Sequence, residues 1–197
     1  MPAIETLRPR PEVLDFLLSR RSRPARTLRS PAPDRATLET ILTAAARSPD
    51  HGKLEPWRFV VVTSGALPRL AARAEARARD LSLPDEKVEK LRAMFADAPA
   101  LIAVLAAPQP SDKIPEVEQI LSVGAASLGL VNAAHAAGFG ANWLTGALAA
   151  DEPFLQEALG AEPGQWAAAF VVVGTESAVP PERPRPDLDR VARWIEA

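Results

Sequence analysis

Cationic side chains and hydrogen-bond donors gather in three short segments of this 197-residue sequence. The segments are Arg20, Arg21 and Ser22; residues 47–53, which contain Arg47, His51 and Lys53; and the pair Arg183 and Arg185. Guanidinium groups bind phosphate bidentately. A reduced flavin ring is stabilised by positive charge near the pyrimidine edge of the ring. The segments are therefore candidates for holding a phosphate and an electron-rich ring, with surface salt bridges as the alternative.

The composition excludes several other kinds of catalytic site. The chain has no cysteine, so thiol nucleophiles, disulfides, zinc–thiolate sites and iron–sulfur clusters are ruled out. His51 and His135 are its two histidines, which leaves little for a histidine-built metal site. Neither a G-x-S-x-G motif nor the glycine-rich nucleotide-binding motifs occur. Demanding chemistry would therefore be carried by a bound cofactor.

The charge is distributed unevenly along the chain. The net charge is −2, but residues 1–35 carry eight arginines against four acids, which is a local net charge of +4. One interpretation is a solvated basic arm, which we favour for Arg8 and Arg10. A second is a non-enzymatic module that binds a polyanion, whose affinity would fall steeply with salt. The overall acidity argues against a general nucleic-acid surface.

Hydrophobic patterning predicts an α+β fold with one sheet packed between helices. Helices are expected near residues 11–20, 35–48, 66–80, 85–96, 116–137, 152–159 and 188–195, and strands near 58–63, 99–106, 141–145 and 167–173. Asp34 and Asp151 are expected as N-caps, and Gly160 as the end of the sixth helix. No linker divides the chain, so residues 1–197 are interpreted as a single domain. A basic N-terminal arm and a Pro/Arg-rich C-terminal arm flank it.

The helix near residues 116–137 is unusual because small side chains dominate its middle. Ser122, Gly124 and Ser127 would let another backbone approach closely, either within the chain or across a dimer. Residues 119–150 carry no formal charge, but glycines and asparagines interrupt them, so a membrane span is not expected. No secretory leader is recognisable after Met1, and a cytoplasmic location is expected.

Five segments of the chain together resemble the nitroreductase superfamily. In sequence order they are residues 20–22, 49–59, 113–119, 138–146 and 183–186. Their order and spacing are similar to those in its short branch of FMN-dependent NAD(P)H nitroreductases, over about residues 12–195. The chain departs from the pattern at Glu55, where many members have Gln, and at Leu144, where some have Arg.

The resemblance implies a mostly antiparallel α+β sandwich that forms an obligate homodimer, with two FMN sites at the interface. Its implied cofactor-binding residues fall into four groups. They are Arg20, Arg21 and Ser22 at the phosphate, ribityl chain and polar ring edge; Arg47, His51 and Lys53, with the first two from the partner subunit; Leu144, Thr145 and Gly146 beside the reactive face, the last two through backbone donors; and Arg183 and Arg185 at the phosphate.

The implied function is oxidoreduction in two half-reactions. NADH or NADPH gives a hydride to FMN, and a small acceptor such as a nitroaromatic or a quinone then takes the electrons. No side chain is assigned as acid, base, nucleophile or metal ligand, and no nucleic-acid or membrane partner is expected. The alternative within the family is another reaction on the same flavin, such as dehydrogenation, dehalogenation or flavin fragmentation.

Overall fold

A computed structural model describes residue 4 and residues 6–196 of the chain. Within these residues, five strands alternate with seven α-helices. In chain order they are α1 (Pro11–Ser19), β1 (Leu28–Arg29), α2 (Arg35–Ala45), β2 (Trp57–Val62), α3 (Leu67–Asp80), α4 (Asp85–Ala96), β3 (Ala100–Ala106), α5 (Glu116–Ala136), β4 (Gly140–Leu144), α6 (Glu152–Leu159), β5 (Trp166–Glu176) and α7 (Leu188–Val191).

The strands form one sheet in which every neighbouring pair is antiparallel. The longest strand, β5, lies inside the sheet because its run of Val171, Val172 and Val173 suits a strand covered on both faces. It pairs with β3 on one side. On its other side, β4 and β1 pair with successive parts of β5. Strand β2 pairs with β3 and forms an edge. The predicted α+β class and antiparallel sheet are confirmed.

Helices cover both faces of the sheet. Successive side chains of a strand point to opposite faces, so alternate residues of β3 enter two different cores. Leu101 and Leu105 pack in a cluster with residues of α3, α4 and α6. Ile102 and Val104 pack in a second cluster with residues of α2 and α5. The sheet therefore lies between two helical layers, as the sequence predicts.

Several helix ends follow directly from single residues. The carboxylate of Asp34 accepts the Thr37 N–H at 2.8 Å at the start of α2, and that of Asp151 accepts the Phe154 N–H at 2.9 Å at the start of α6. Gly160 ends α6 in the left-handed conformation, with φ of 69°. These three predictions are confirmed.

The structure differs from the predicted elements in two places. Strand β1 was not predicted, because two residues are too short a run to show a strand period. The C-terminal helix expected over residues 188–195 is wrong in extent, since α7 ends at Val191 and Ala192 is extended. Trp194 and Ile195 are exposed, so an amphipathic helix there would have no surface of its own chain to cover.

Helix α5 is buried on one side and apolar on the other. Its buried side packs against α2 and the sheet and includes the polar residues Gln119, Ser122 and Ser127. Val117, Leu121 and Leu128 are exposed, at a spacing that places them along one stripe of the helix. By length and composition α5 is the one helix of the described residues that could cross a membrane, and 44% of its most apolar window is buried in this fold.

Candidate functional site

The segment that follows α1 is fastened to strand β4. The N–H of Arg23 donates to the carbonyl oxygen of Ala141 at 3.0 Å. The side-chain amide of Asn142 donates to the carbonyl oxygen of Arg23 at 2.9 Å. His135, on the last turn of α5, lies 3.2 Å from the same Ala141 oxygen through Nε2. These contacts place the predicted Arg20, Arg21 and Ser22 beside β4.

Four cations crowd this position, and we call Arg20, Arg21, Arg23 and Arg185 the arginine cluster. Arg185 reaches it from the C-terminal arm and donates to the carbonyl oxygen of Arg20 at 3.3 Å. Burial lowers the pKa of Arg20, and the charges of Arg185, Arg21 and Arg23 lower it further. Arg20 is charged at neutral pH, and its charge is less favourable at this position than in water.

Two members of the cluster, Arg20 and Arg21, make no direct ion pair with an acid among the described residues, although the charge of Arg21 helps to lower the pKa of Glu182. Arg23 pairs with Glu176 at 2.5 Å, and Arg185 pairs with Glu182 at 2.8 Å. The Nε atoms of Arg20 and Arg21 are buried and have no hydrogen-bond partner among the described residues. A buried donor without an acceptor is costly, and a ligand that carries acceptor oxygens would remove that cost.

The hydroxyl of Ser22 adds a neutral polar group to the cluster, because it accepts from Nη2 of Arg20 at 3.4 Å. The side chain of Arg183 makes no hydrogen bond or ion pair with the cluster among the described residues. Its backbone N–H donates to Glu182 at 2.8 Å, while its side chain is exposed. The arm therefore reaches Arg20 through Arg185.

The turn after β4 presents its backbone to solvent. Leu144 is half-buried, and its side chain packs against the core cluster of α3, α4 and α6, whereas Thr145 and Gly146 are exposed. Gly146 is fully extended, and its carbonyl oxygen accepts the Ala149 N–H at 3.0 Å. Asn142 contacts Arg23 of the arginine cluster, and Thr145 is about 10 Å further along the strand direction. A ligand in the cluster could thus extend toward this turn.

The segment that contains Arg47, His51 and Lys53 is at a different place in the fold. The hydroxyl of Ser122 on α5 donates to the carbonyl oxygen of Pro49. His51 Nδ1 lies 2.8 Å from Oε2 of Glu118, in the first turn of α5. The side chains of Arg47, His51 and Lys53 are all exposed. This segment is therefore anchored to the first half of α5.

The two groups of predicted residues are far apart within one chain. Glu118 marks the position of His51, and His135 marks that of the arginine cluster, because Arg20 and Arg23 both influence its pKa. Both marker residues lie on α5, which rises 1.5 Å per residue, so they are about 25 Å apart. The structure brings Arg20, Arg21, Ser22 and Arg185 together, but it does not bring Arg47, His51 and Lys53 to them.

Sequence patterns missed two residues of this site, Arg23 and His135. They line a cavity of about 210 Å³ together with Glu176 and the glycines that follow α5. Burial is the main cause that lowers the pKa of His135, and the neighbouring arginines add to it. The sequence feature that could have identified His135 as a site residue is its position one turn before Gly138, at the junction of a helix and a strand. Among the described residues, no three His, Cys, Asp or Glu side chains are grouped as a metal site would need.

Fold and site together define an α+β sandwich protein with a cluster of four arginines, only two of them in direct ion pairs, beside one strand of the sheet. Residues 17–175 match the model of the Nitroreductase family, and the chain belongs to that family. It is 35% identical over 164 residues to the Escherichia coli (strain K12) protein named "Putative NAD(P)H nitroreductase YdjA", covering 83% of this chain and 88% of that one.

Solved structures show the same fold. A nitroreductase-like family protein from Bacillus cereus superposes with a TM-score of 0.76 at 22% identity, covering 99% of this chain and 100% of that chain. A nitroreductase with bound FMN from Bacteroides fragilis NCTC 9343 superposes with a TM-score of 0.71 at 21% identity, covering 94% of this chain and 99% of that chain. These similarities confirm the predicted fold.

Proposed function

We propose that this protein is an FMN-dependent oxidoreductase that uses NAD(P)H to reduce a small electron acceptor, such as a nitroaromatic or a quinone. The observation that carries the proposal is the pair of buried, unpartnered guanidinium nitrogens of Arg20 and Arg21 in a crowded arginine cluster. The name of the Escherichia coli relative and the FMN in the Bacteroides fragilis structure support this choice.

The residues fit the group that they would hold. A phosphate dianion would supply the acceptor oxygens that the Nε atoms of Arg20 and Arg21 lack, and it would offset the repulsion within the cluster. The Ser22 hydroxyl can donate to the same phosphate or to the ribityl chain. The exposed backbone of Thr145 and Gly146 would face the ring. Arg185 would close over the phosphate from the C-terminal arm.

The bound FMN would supply the redox chemistry, accepting a hydride from NAD(P)H and passing electrons to the acceptor. The protein's own contribution is binding and electrostatics. The fixed positive charge of the arginine cluster favours negative charge on its ligand, and it does so most strongly where water is excluded. Leu144 contributes by packing the turn against the core, which holds the backbone of Thr145 and Gly146 in place.

We further propose that Arg47, His51 and Lys53 reach this site from a second copy of the chain. The two halves lie toward opposite ends of α5, so an antiparallel α5 pair around a two-fold axis would bring each half to its complement. The exposed stripe of Val117, Leu121 and Leu128 gives such a pair an apolar surface. An added Cβ at Gly124 on α5 would meet nothing within 4 Å, so another helix has room to approach there.

A visible spectrum tests the cofactor and the reaction together. The purified protein should be yellow, should release FMN on denaturation, and should bleach when NADH or NADPH is added without oxygen. Re-oxidation by a nitroaromatic or a quinone, with steady turnover, would distinguish a reductase from the other flavin reactions of this fold. A colourless protein that cannot be reconstituted with FMN would refute the proposal.

A further inference from the structure

The ring of His51 is held by a carboxylate on a different element. His51 Nδ1 lies 2.8 Å from Oε2 of Glu118, which projects from the first turn of α5. A neutral imidazole carries one proton, and the hydrogen bond made by one ring nitrogen decides which nitrogen bears it. Because a carboxylate only accepts, this contact places the proton on Nδ1 and leaves a lone pair on Nε2.

The backbone around His51 is also fixed, through the loop of residues 49–55. The carboxylate of Asp50 accepts the N–H of Leu54 at 3.2 Å and that of Glu55 at 2.8 Å. Lys53 and Glu55 have positive φ angles of 55° and 48°, which non-glycine residues keep only where surrounding contacts hold them. A loop held in such a conformation presents His51 from a defined position.

We propose that Glu118 is the positioning residue for His51: it fixes the ring orientation and the Nδ1–H tautomer, so that Nε2 faces out of the subunit as an acceptor. This inference rests on the proposed function, in which His51 meets the FMN held by Arg20 of the second copy. The ribityl hydroxyls and the ring N–H of FMN can donate hydrogen bonds, whereas its ionised phosphate can only accept them. His51 therefore binds the ribityl chain or the ring edge, and the arginine cluster binds the phosphate.

Nuclear magnetic resonance of ¹⁵N-labelled histidine reads the tautomer directly, at a pH of about 8.5 where an ordinary imidazole is neutral. The chain has two histidines, so the spectrum of His51→Ala assigns both. We expect Nδ1 of His51 to be protonated in the wild type and in Glu116→Ala, and the proton to move largely to Nε2 in Glu118→Ala. Glu116 is the matched control, because it is an exposed acid in the same helical turn. An unchanged tautomer in Glu118→Ala would refute the positioning role.

The affinity for FMN provides the second readout. We expect Glu118→Ala to raise the Kd for FMN about fivefold, the upper range for exposed charge pairs, and Glu118→Gln to recover part of the loss because its amide oxygen still accepts. In a His51→Ala background, Glu118→Ala should add nothing, since it acts through His51. Equal effects of Glu118→Ala with and without His51 would overturn the inference while leaving FMN binding intact. A wild-type protein that binds no FMN would instead refute the proposed function, and this inference with it.

Discussion

Replacing Arg20 by glutamine should separate the stability of the protein from its affinity for FMN. Arg20 is disfavoured in its charged form by burial and by the charges of Arg185, Arg21 and Arg23. Arg20→Gln removes that charge and retains a polar side chain of intermediate length. We therefore expect the free energy of unfolding of the protein without cofactor to stay the same or to rise.

The same substitution should weaken FMN binding strongly. It removes at least one charge-assisted hydrogen bond to the phosphate, and such a bond contributes about 1.5–3 kcal/mol. Since about 1.4 kcal/mol corresponds to a factor of ten, the Kd for FMN should rise roughly 10- to 150-fold. Loss of affinity without loss of stability is the signature of a group arranged for a ligand.

Calorimetric titration of the apoprotein with FMN, together with urea unfolding of the same sample, measures both quantities. Arg35→Gln is the matched control, because the Arg35 side chain is 90% exposed on α2 and pairs only with Glu39 among the described residues. It should leave the Kd for FMN unchanged. If Arg20→Gln and Arg35→Gln bound FMN equally well, the assignment of the arginine cluster to the phosphate would be wrong.

Three further predictions concern the frame of the site. Asp151→Ala should cost about 3 kcal/mol in urea unfolding, since it removes the cap of α6 and the two 2.9 Å bonds from Arg77; a cost under 1 kcal/mol would contradict this. Burial lowers the pKa of His135, so the unfolded state binds more protons than the folded state, and stability should fall as the pH drops below about 6.5. His135→Gln should flatten this part of the profile of thermal unfolding against pH, and an equally steep profile would contradict the prediction. Gly52→Ala should lower the free energy of unfolding by about 1–2 kcal/mol, because φ is +73° and the new Cβ meets Ile114. Backbone strain is the larger of the two causes, so in an Ile114→Ala background Gly52→Ala should still be destabilising, by a smaller amount.

Much of the fold was predictable because its signals are local. The β-branched runs of β2 and β5, the capping carboxylates of Asp34 and Asp151, and Gly160 after α6 each act within a few residues of the chain. Strand β1 exists only because Leu28 and Arg29 find partners in β5, about 150 residues later, and no local pattern records that pairing. The C-terminal helix was overestimated because periodicity was present without a surface to pack against.

The candidate site was predictable in its residue types but not in its arrangement. Motif order singled out Arg20, Arg21, Ser22 and Arg185, and the structure brings them together. The motif did not reveal Arg23 and His135, whose roles depend on the long-range contacts of β4 with the segment after α1. Nor could it show that, within one chain, Arg47, His51 and Lys53 lie about 25 Å from the arginine cluster along α5.

A mixed-dimer experiment tests most directly whether FMN is bound between two copies of the chain. One variant carries Arg20→Gln, and the other carries Arg47→Gln, His51→Ala and Lys53→Gln together. The two are unfolded, mixed in equal amounts, refolded and titrated with FMN. Random assortment makes half of the dimers mixed, and each mixed dimer has one site without a substitution. The shared-site arrangement predicts that about one quarter of all sites recover the wild-type Kd, whereas no recovery would contradict it.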